Sequence, residues 1–377
     1  MKQPNSTTFG ALKESGYQPK TIKEEIRANL IAQLKGNENG FKGIIGYEET
    51  VMPDLQTALL CRHNLLFLGL RGQAKTRMAR LLINLLDEYI PYIQGSELYD
   101  DPFAPLSWYG RDIIEKVGDD TPIAWLHRSE RYTEKLATPD VSIADLVGDV
   151  DPIKAATMKL PYSDERVIHY GLIPRSHRGI FVINELPDLQ PRIQVALFNI
   201  LQEGDIQIRG FKLRLPLDIQ FVFTANPEDY TNRGSIVTPL KDRIESQILT
   251  HYPKSIEVSR QITAQEARLT KEQQENIQVH PILKDLVEHL AFEARDNEYI
   301  DKKSGVSARL TISAYENLVS NAERRAILTG AKKSSARISD FWGVIPAITG
   351  KIELVYEGEQ EGPAKVAHIL IGRSLKR

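Results

Sequence analysis

The sequence NLLFLGLRGQAKTRMARLLINLLD, which runs from Asn64 to Asp87, governs how the chain folds. Its apolar run, Leu65 to Leu68, predicts a short strand that leads into a loop with two glycines. After the loop, apolar residues recur at intervals of three and four positions, which is typical of a helix that buries one face. These residues are Met78, Leu81, Leu82, Leu85 and Leu86. A strand, a glycine-bearing loop and a helix in this order predict a nucleotide-binding α/β core.

The loop contains the residue types that bind a triphosphate. The backbone N–H groups of such a loop, and of the helix N-terminus that follows it, point at anionic oxygens. Lys75 is suited to contact the β- and γ-phosphates, and the Thr76 hydroxyl is suited to coordinate Mg²⁺. The predicted nucleotide-binding residues are Gly69, Leu70, Arg71, Gly72, Gln73, Ala74, Lys75, Thr76 and Arg77. The sequence therefore predicts ATP and Mg²⁺ as cofactors.

One residue of the loop departs from the usual pattern G-x-x-x-x-G-K-[ST], because Ala74 stands where glycine is usual. Alanine fits without strain if its φ angle is negative, and otherwise the loop is strained. The alternative is a chance turn between a core strand and a core helix. The order of strand, loop and helix favours the phosphate-binding loop.

The composition bounds the class of protein. The chain has 377 residues, 41% apolar and 26% charged, which predicts two packed units of ordinary globular character. A net charge of −2 argues against a strongly basic nucleic-acid surface, and the single cysteine excludes an internal disulfide framework. The sequence has no apolar run long enough to cross a membrane and no signal peptide. We therefore expect a cytoplasmic protein without membrane insertion.

A second motif of phosphate chemistry follows about 110 residues later. Ile180 to Ile183 predict a buried strand that ends in Asn184 and Glu185. In an acidic pair at such a strand end, the first residue supports Mg²⁺ and the second orients or deprotonates the attacking water. Asn184 brings no charge, so we expect weaker support of Mg²⁺ and slow turnover. The alternative is a buried parallel strand whose end happens to be polar.

Three further polar residues complete the candidate catalytic set. Asn226 follows the predicted strand Ile219 to Ala225, where a γ-phosphate would lie, although it could instead cap the next turn. Arg309 lies in the first turn of a predicted helix, where the helix dipole disfavours a cation, so an anionic partner is expected. That partner is either a phosphate or a nearby carboxylate. Arg243 is predicted at the edge of the core.

The domain organisation follows from the composition along the chain, which changes to helix-forming residues after Tyr252. The predicted units are a helical lead at 1–40, an α/β core at 41–252, a helical lid at 253–350 and an extension at 351–377. The core is predicted to contain insertions at 89–137 and 138–170 and a hairpin at 205–217. Ile44 and Ile45, upstream of the loop, either wall an adenine pocket or belong to the ordinary core.

Five motifs occur in the order found in AAA+ ATPases: GLRGQAKT, GLIPRSHRGIFVINE, FTANPED, PLKDR and GVSAR. The chain resembles the branch with the magnesium-chelatase ATPase subunit and the MoxR-type ATPases over about residues 41–328. The resemblance implies a parallel sheet sandwiched by helices, followed by a small all-α lid. It assigns Walker A to Gly69, Gly72, Lys75 and Thr76, Walker B to Asn184 and Glu185, sensor 1 to Asn226, the arginine finger to Arg243 and sensor 2 to Arg309.

The resemblance also implies an ATP-hydrolysing ring, usually of six subunits. In such a ring Arg243 reaches the γ-phosphate of a neighbouring subunit. Family members remodel partner proteins or assist metal insertion, and these partners frequently carry a von Willebrand A domain. One alternative is a nucleotide-gated scaffold with little hydrolysis. A second is a σ54-type transcriptional activator, which is disfavoured because the GAFTGA loop of that class is absent from this sequence.

Overall fold

The computed structural model of the chain describes residues 6–36, 38, 40–208, 214–227 and 235–376. The turn of the hairpin predicted at 205–217, residues 209–213, lies outside the described residues. The two strands of that hairpin are described and pair antiparallel.

Helices and strands alternate through the first two thirds of the chain. In chain order these elements are α1 (Phe9–Glu14), α2 (Ile22–Lys35), α3 (Val51–Leu60), β1 (Leu65–Leu68), α4 (Lys75–Leu81), β2 (Tyr89–Ile93), α5 (Trp108–Val117), β3 (Ile123–His127), β4 (Tyr132–Leu136), α6 (Ile143–Leu146), β5 (Gly148–Val150), α7 (Pro152–Met158), β6 (Ile168–Tyr170), α8 (Leu172–Arg175), β7 (Gly179–Asn184), α9 (Pro191–Glu203), β8 (Asp205–Gln207), β9 (Arg214–Pro216), β10 (Ile219–Ala225), α10 (Thr238–Arg243) and β11 (Ser246–Leu249).

Five of these strands form one parallel sheet in the order β11–β1–β10–β7–β4. After β1, the next strand of this sheet along the chain is β4, which lies at the far edge, and the chain then works back toward β1. In parallel sheets of this kind, ligands bind beyond the carboxyl ends of the strands at the point where the order reverses. The loop after β1 lies at that point.

Both faces of the sheet are covered because successive side chains of a strand point to opposite faces. Leu65 and Phe67 lie in a buried core with residues of α2, α3 and α4. Leu66 lies in a second buried core with residues of α9. In β7 the same alternation places Ile180 and Val182 in the first core, and Phe181 and Ile183 in the second. The predicted α/β core, a parallel sheet between helices, is confirmed.

The helical lead is part of this core. Thr21 and Glu24 form a capping box that begins α2. Ile22, Ile26 and Leu30, one face of α2, are buried in the same cluster as β1. The segment predicted as a separate lead at 1–40 therefore helps to cover one face of the sheet.

The predicted insertion at 89–137 needs a correction at its end. β2 and β3 form an antiparallel pair outside the main sheet. Tyr132–Leu136, however, is the edge strand β4, which pairs with β7 from Tyr132 opposite Ile180 to Leu136 opposite Asn184. Most of its side chains are half-buried, so the sequence YTEKL has no apolar run that would reveal a core strand.

A helical unit follows β11. Its elements are α11 (Ile256–Glu266), α12 (Lys271–Asn276), β12 (Ile277–Gln278), α13 (Pro281–Asp296), α14 (Arg309–Thr329), β13 (Ser334–Ser335), a 3₁₀ segment (Ile338–Val344), α15 (Ile345–Thr349), α16 (Tyr356–Glu361) and α17 (Pro363–Ser374). This unit has its own buried core, which corresponds to the predicted helical lid.

The boundary predicted at residue 350 is wrong. Val366, Ala367, Leu370 and Ile371 of α17 are buried in the same core as α13 and α14. The segment predicted as an extension at 351–377 therefore completes the helical unit. Among the described residues, no helix is both long and apolar enough to cross a bilayer.

Candidate nucleotide-binding site

The loop after β1 has the geometry of a tight cradle. Gly72 has φ +75°, and a Cβ added there would collide with the Ser307 hydroxyl of the helical unit. A Cβ added at Gly69 would collide with the Thr250 hydroxyl. Both glycines are therefore required by close packing, and at Gly72 also by the backbone angle.

Ala74, immediately before α4, does not have the negative φ that an unstrained alanine requires. Its φ is +57° and its ψ is 15°, which is the left-handed region. For a residue with a Cβ, this conformation costs about 1–2 kcal/mol. The loop is therefore strained at the position where the usual pattern has glycine. Strain of this kind clusters at functional sites, where the surrounding structure holds it in place.

Lys75, the first residue of α4, connects the loop to a neighbouring strand end. Its side chain is buried, and its ammonium group donates to the carbonyls of Gly69 and Leu70, the latter at 3.0 Å. The same group lies 3.5 Å from Asn226 Oδ1 at the end of β10. The structure thus brings together the predicted phosphate-binding lysine and the predicted sensor.

Asn184, at the end of β7, makes hydrogen bonds on two sides. Its Oδ1 accepts from the hydroxyls of Thr76 at 3.4 Å and Thr224 at 3.1 Å. Glu185, the next residue, has φ +55°, and its backbone N–H donates to the same Thr224 hydroxyl at 3.1 Å. The predicted Mg²⁺-supporting residues Thr76 and Asn184 are therefore in contact, with Glu185 adjacent to them.

A carboxylate that the sequence did not single out lies beside this pair. Asn184 Nδ2 donates to Glu134 Oε1 at 2.6 Å. Glu134, on β4, also accepts two hydrogen bonds from the Arg80 guanidinium, at 2.8 and 3.0 Å, and one from the Tyr132 hydroxyl at 3.1 Å. The pKa of Glu134 lies below its ordinary value, mainly because of the hydrogen bonds from Arg80. This carboxyl therefore stays ionised at neutral pH.

Sequence reasoning missed Glu134 because the segment around it was assigned to an insertion. The one available signal was Asn184 itself. An amide in place of a carboxylate offers a donor, and a donor at this position needs an acceptor nearby.

The donor set fits Mg²⁺. The hydroxyl of Thr76 and the amide oxygen of Asn184 are hard oxygen groups of the kind this ion prefers, and the Glu134 carboxylate beside Asn184 adds a negative charge. Among the described residues, no group of three or more His, Cys, Asp or Glu side chains could hold a metal ion. Mg²⁺ usually keeps several waters and binds through one or two protein groups together with substrate phosphates.

The helical unit contacts the loop directly. Arg71 pairs with Glu353 at 2.5 Å, and its guanidinium also donates to the Gly305 carbonyl. Arg77 of α4 pairs with Glu266 of α11. These contacts tie both ends of the loop to the helical unit.

Arg309 is the first residue of α14, and its backbone N–H donates to Ser307, the residue that packs against Gly72. The structure therefore places Arg309 two residues from a direct contact with the loop.

Ile44 is buried in the core cluster that contains α4, and Ile45 is half-buried. The adjacent Gly43 carbonyl accepts from Gln265 of α11 at 2.8 Å. The segment therefore passes between the core and the helical unit. Both interpretations of Ile44 and Ile45, an adenine wall and ordinary core, are compatible with this position.

Arg243, at the end of α10, lies away from the loop. Its side chain donates to Gln202 at 2.8 Å and to the Pro239 carbonyl at 2.9 Å, and it stacks on the Phe198 ring. It precedes Ser246, which is paired with Leu65 at the amino end of β1. The four residues of β1 span about 10 Å at roughly 3.3 Å per residue, so Arg243 lies toward the opposite edge of the sheet from the loop.

The chain is similar to several known proteins. Residues 160–248 match the family described as Sigma-54 interaction domain. The magnesium-chelatase 38 kDa subunit of Cereibacter sphaeroides is 26% identical over 226 residues, which cover 58% of this chain and 60% of that protein. The same subunit of Rhodobacter capsulatus is 27% identical over 221 residues, which cover 58% of this chain and 57% of that protein.

A solved structure, the complex between subunits BchI and BchD of magnesium chelatase, contains a chain that is 19% identical with a TM-score of 0.43. The match covers 85% of this chain and 98% of that one. The sequence matches span about 60% of the length of the two curated relatives. This chain is homologous to the magnesium-chelatase 38 kDa subunit. The predicted resemblance to the magnesium-chelatase ATPase subunit is confirmed.

Proposed function

We propose that this homologue of the magnesium-chelatase 38 kDa subunit binds ATP with Mg²⁺ at the carboxyl edge of its sheet and hydrolyses it. One observation carries the proposal: the loop and two strand ends converge through hydrogen bonds. Lys75 lies 3.5 Å from Asn226, and Thr76 lies 3.4 Å from Asn184. Residues far apart in sequence thus meet at the position where a triphosphate would lie.

Binding rests on the loop and on Lys75. The backbone N–H groups from Gly72 to Thr76 would donate to the phosphate oxygens, as in other loops of this kind. The Lys75 ammonium, which donates to two loop carbonyls, would exchange these acceptors for charged phosphate oxygens. Hydrogen bonds to charged acceptors are roughly twice as strong as those to neutral ones, so the exchange favours the bound nucleotide.

Hydrolysis rests on Glu185 and Asn226. Glu185 would accept a proton from the attacking water, whose oxygen forms a bond to the γ-phosphorus as the bond to the ADP oxygen breaks. Asn226 would orient the γ-phosphate or the water. Mg²⁺, when bound, neutralises the charge that develops on the phosphate oxygens.

Two variants test this proposal. Lys75→Ala removes the cation and should weaken ATP binding at least tenfold, measured by isothermal titration. Glu185→Gln should bind ATP as the wild type does but release phosphate at a small fraction of its rate. Wild-type affinity in Lys75→Ala would contradict the binding site. Equal phosphate release by wild type and Glu185→Gln would favour the alternative, a nucleotide-gated scaffold with little hydrolysis.

Assembly into a ring, usually of six subunits in the family that the chain resembles, is also proposed. Arg243 lies toward the amino end of the sheet and the loop lies at the carboxyl end, which supports a role in which Arg243 would reach a neighbouring subunit's γ-phosphate rather than its own. Arginine fingers supplied in trans contribute about 10³–10⁵ in rate. Arg243→Ala should bind ATP with wild-type affinity, and its rate of ATP hydrolysis should fall by that factor. Arg192 is an exposed arginine on α9, and the control variant Arg192→Ala should keep both the ATP affinity and the hydrolysis rate of the wild type. Wild-type turnover in Arg243→Ala would contradict this role.

We propose that ATP hydrolysis drives the remodelling of a partner protein, or that it assists the insertion of a metal ion through such a partner. The pairs Arg71–Glu353 and Arg77–Glu266 support coupling, since they connect the loop to the helical unit that would move. A partner with a von Willebrand A domain should bind the ATP-loaded chain more tightly than the nucleotide-free chain in a titration. Equal affinity in both states would contradict the coupling.

The match of residues 160–248 to the Sigma-54 interaction domain favours a second candidate, transcriptional activation. The sequence lacks the GAFTGA loop of that class. A σ54 binding assay with the ATP-loaded chain separates the two functions.

A further inference from the structure

Three polar side chains form a row across the sheet, one from each of three neighbouring strands. Phe223 of β10 is paired with Ile183 of β7, so Thr224 lies beside Asn184. Leu136 of β4 is paired with Asn184, and Glu134, two residues earlier on β4, shares the face of Leu136. Hydrogen bonds of 3.1 and 2.6 Å connect this row from Thr224 through Asn184 to Glu134.

Asn184 is the residue of this row that can form hydrogen bonds with both Thr224 and Glu134. Its carbonyl oxygen accepts from the Thr76 and Thr224 hydroxyls, while its amide nitrogen donates to Glu134. An aspartate at this position could accept from both hydroxyls but could not donate to Glu134. It would place two carboxylates within hydrogen-bond distance, and like charges so close disfavour joint ionisation.

We propose that Glu134 supplies the negative charge that supports Mg²⁺ at this site, in place of the aspartate that usually stands at the position of Asn184. Compared with that usual aspartate, the carboxylate of Glu134 lies on the neighbouring strand, and neighbouring strands of a sheet are about 4.8 Å apart. Asn184 connects this carboxylate to Thr76 through hydrogen bonds. Glu134 acts through Asn184 and is therefore a positioning residue. This inference rests on the proposed function, because it assigns a residue to the Mg²⁺ of the same site.

A purely structural role for Glu134 makes a different prediction. The Arg80–Glu134 pair is partly exposed, with 64% and 22% of the two side chains accessible. Partly exposed pairs of this kind contribute little to stability. If Glu134 served only that pair, then removing Arg80 or Glu134 would have the same effect on the site. If Glu134 supports Mg²⁺, removing Arg80 frees its charge and does not weaken the ion's binding.

The experiment measures binding of a fluorescent ATP analogue by the full chain, first in EDTA and then with Mg²⁺ titrated. Glu134→Gln should match the wild type in EDTA. Its apparent Mg²⁺ affinity should fall about 10- to 100-fold, the usual cost of losing a residue that orients a metal ligand. Electron paramagnetic resonance of Mn²⁺ in the same complexes reports the loss of the ion directly.

The double variant Glu134→Gln with Asn184→Asp exchanges the two groups, because the amide introduced on β4 can donate to the carboxylate introduced on β7. It should recover most of the lost Mg²⁺ affinity. Arg80→Gln should bind Mg²⁺ as tightly as the wild type or more tightly. Glu115→Gln, an exposed glutamate on α5, is the matched control and should behave as wild type.

Four outcomes overturn the inference. They are unchanged Mg²⁺ affinity in Glu134→Gln, an equal loss in Arg80→Gln, failure of the double variant to recover, and a Glu134→Gln protein already weakened in EDTA. In each of these cases ATP binding by the wild type still stands, so the proposed function survives. A wild-type chain that binds no nucleotide with or without Mg²⁺ overturns both proposals.

Discussion

Two arginine–glutamate pairs involve the edge strand β4, one just before it and one at its middle, and they differ in burial and in hydrogen bonding. Arg131, just before β4, pairs with Glu25 of α2 through two hydrogen bonds, at 2.7 and 2.6 Å, and the side chains are 1% and 4% exposed. Glu134, within β4, pairs with Arg80 at 2.8 Å, and these side chains are 22% and 64% exposed. The first pair lies at the amino end of the sheet and the second lies toward the nucleotide edge.

Both members of the buried pair make further hydrogen bonds to the surrounding backbone. Glu25 Oε1 also accepts from the backbone N–H of Asp87 at 2.6 Å, and Arg131 Nε donates to the Arg178 carbonyl at 2.9 Å. Charges removed from water are tolerated only with such complete hydrogen bonding. The exposed pair leaves Glu134 in contact with Asn184, and so its charge is available to the site. The same type of ion pair thus stabilises the fold just before β4 and serves the site at the middle of β4.

The largest expected effect is on the buried pair. Glu25→Gln leaves the Arg131 charge buried without an anion, which should lower the free energy of unfolding by about 3–5 kcal/mol. The matched change Glu134→Gln at the exposed pair should lower it by less than about 1 kcal/mol. Urea denaturation of both variants beside the wild type measures the difference. Equal losses of stability would remove the distinction between the two pairs.

A second prediction concerns Asp218, whose carboxylate accepts from the Ile22 N–H at 2.7 Å near the buried pair. Burial, which disfavours the charged form, is the main cause that raises the pKa of Asp218 to about 6. Arg178 and Arg131 lower this pKa, and Glu25 raises it. A raised folded-state pKa means that the fold binds this proton more readily than the unfolded chain does. The resulting stability is present at low pH and is lost as the pH rises through about 6.

Asp218→Asn is a neutral isostere that should remove this pH dependence. From pH 4.5 to 7.5 the wild type should lose about 2 kcal/mol of stability relative to the variant, measured by urea denaturation at each pH. Burial also lowers the pKa of His177 to about 3, but this group is present in both proteins and cancels in the difference. A difference that does not change with pH would show that Asp218 keeps an ordinary pKa.

The smallest effect is expected at the strained loop. Ala74→Gly relieves a φ of +57° and should raise the free energy of unfolding by about 1 kcal/mol, after allowance for the added freedom of the unfolded chain. Ala79→Gly in α4 makes the same chemical change at a buried helical position and should destabilise by about 1 kcal/mol or more. Thermal unfolding compares the two. Two shifts of the same sign would show that Ala74 is not strained.

The features that the sequence predicted share one property: each depends on residues close together in the chain. The apolar run of β1, the glycines of the loop and the periodic face after Lys75 follow from local spacing. The strand ends at Asn184 and Asn226 were found in the same way. Their convergence on Lys75 and Thr76 was an expectation from parallel topology, and the hydrogen bonds at 3.5 and 3.4 Å agree with it.

The features that the sequence did not predict depend on contacts between distant segments. The edge strand β4 has no fully buried side chain, so no apolar pattern marks it. The helix α17 completes a core whose other members precede it by many residues. Ala74 adopts φ +57°, a left-handed conformation that the local propensity of alanine disfavours.

The amino-acid sequence alone established that a phosphate-binding loop joins a buried strand to a helix, because strand and helix periods and loop chemistry are local properties. Which carboxylate lies beside Asn184 was settled only in three dimensions. That choice depends on the order of β10, β7 and β4 in the sheet and on their register, which bring Glu134 to 2.6 Å from an amide 50 residues away in sequence. Pairing across a sheet is a long-range property, and for that reason the missing acidic group could be located only in the fold.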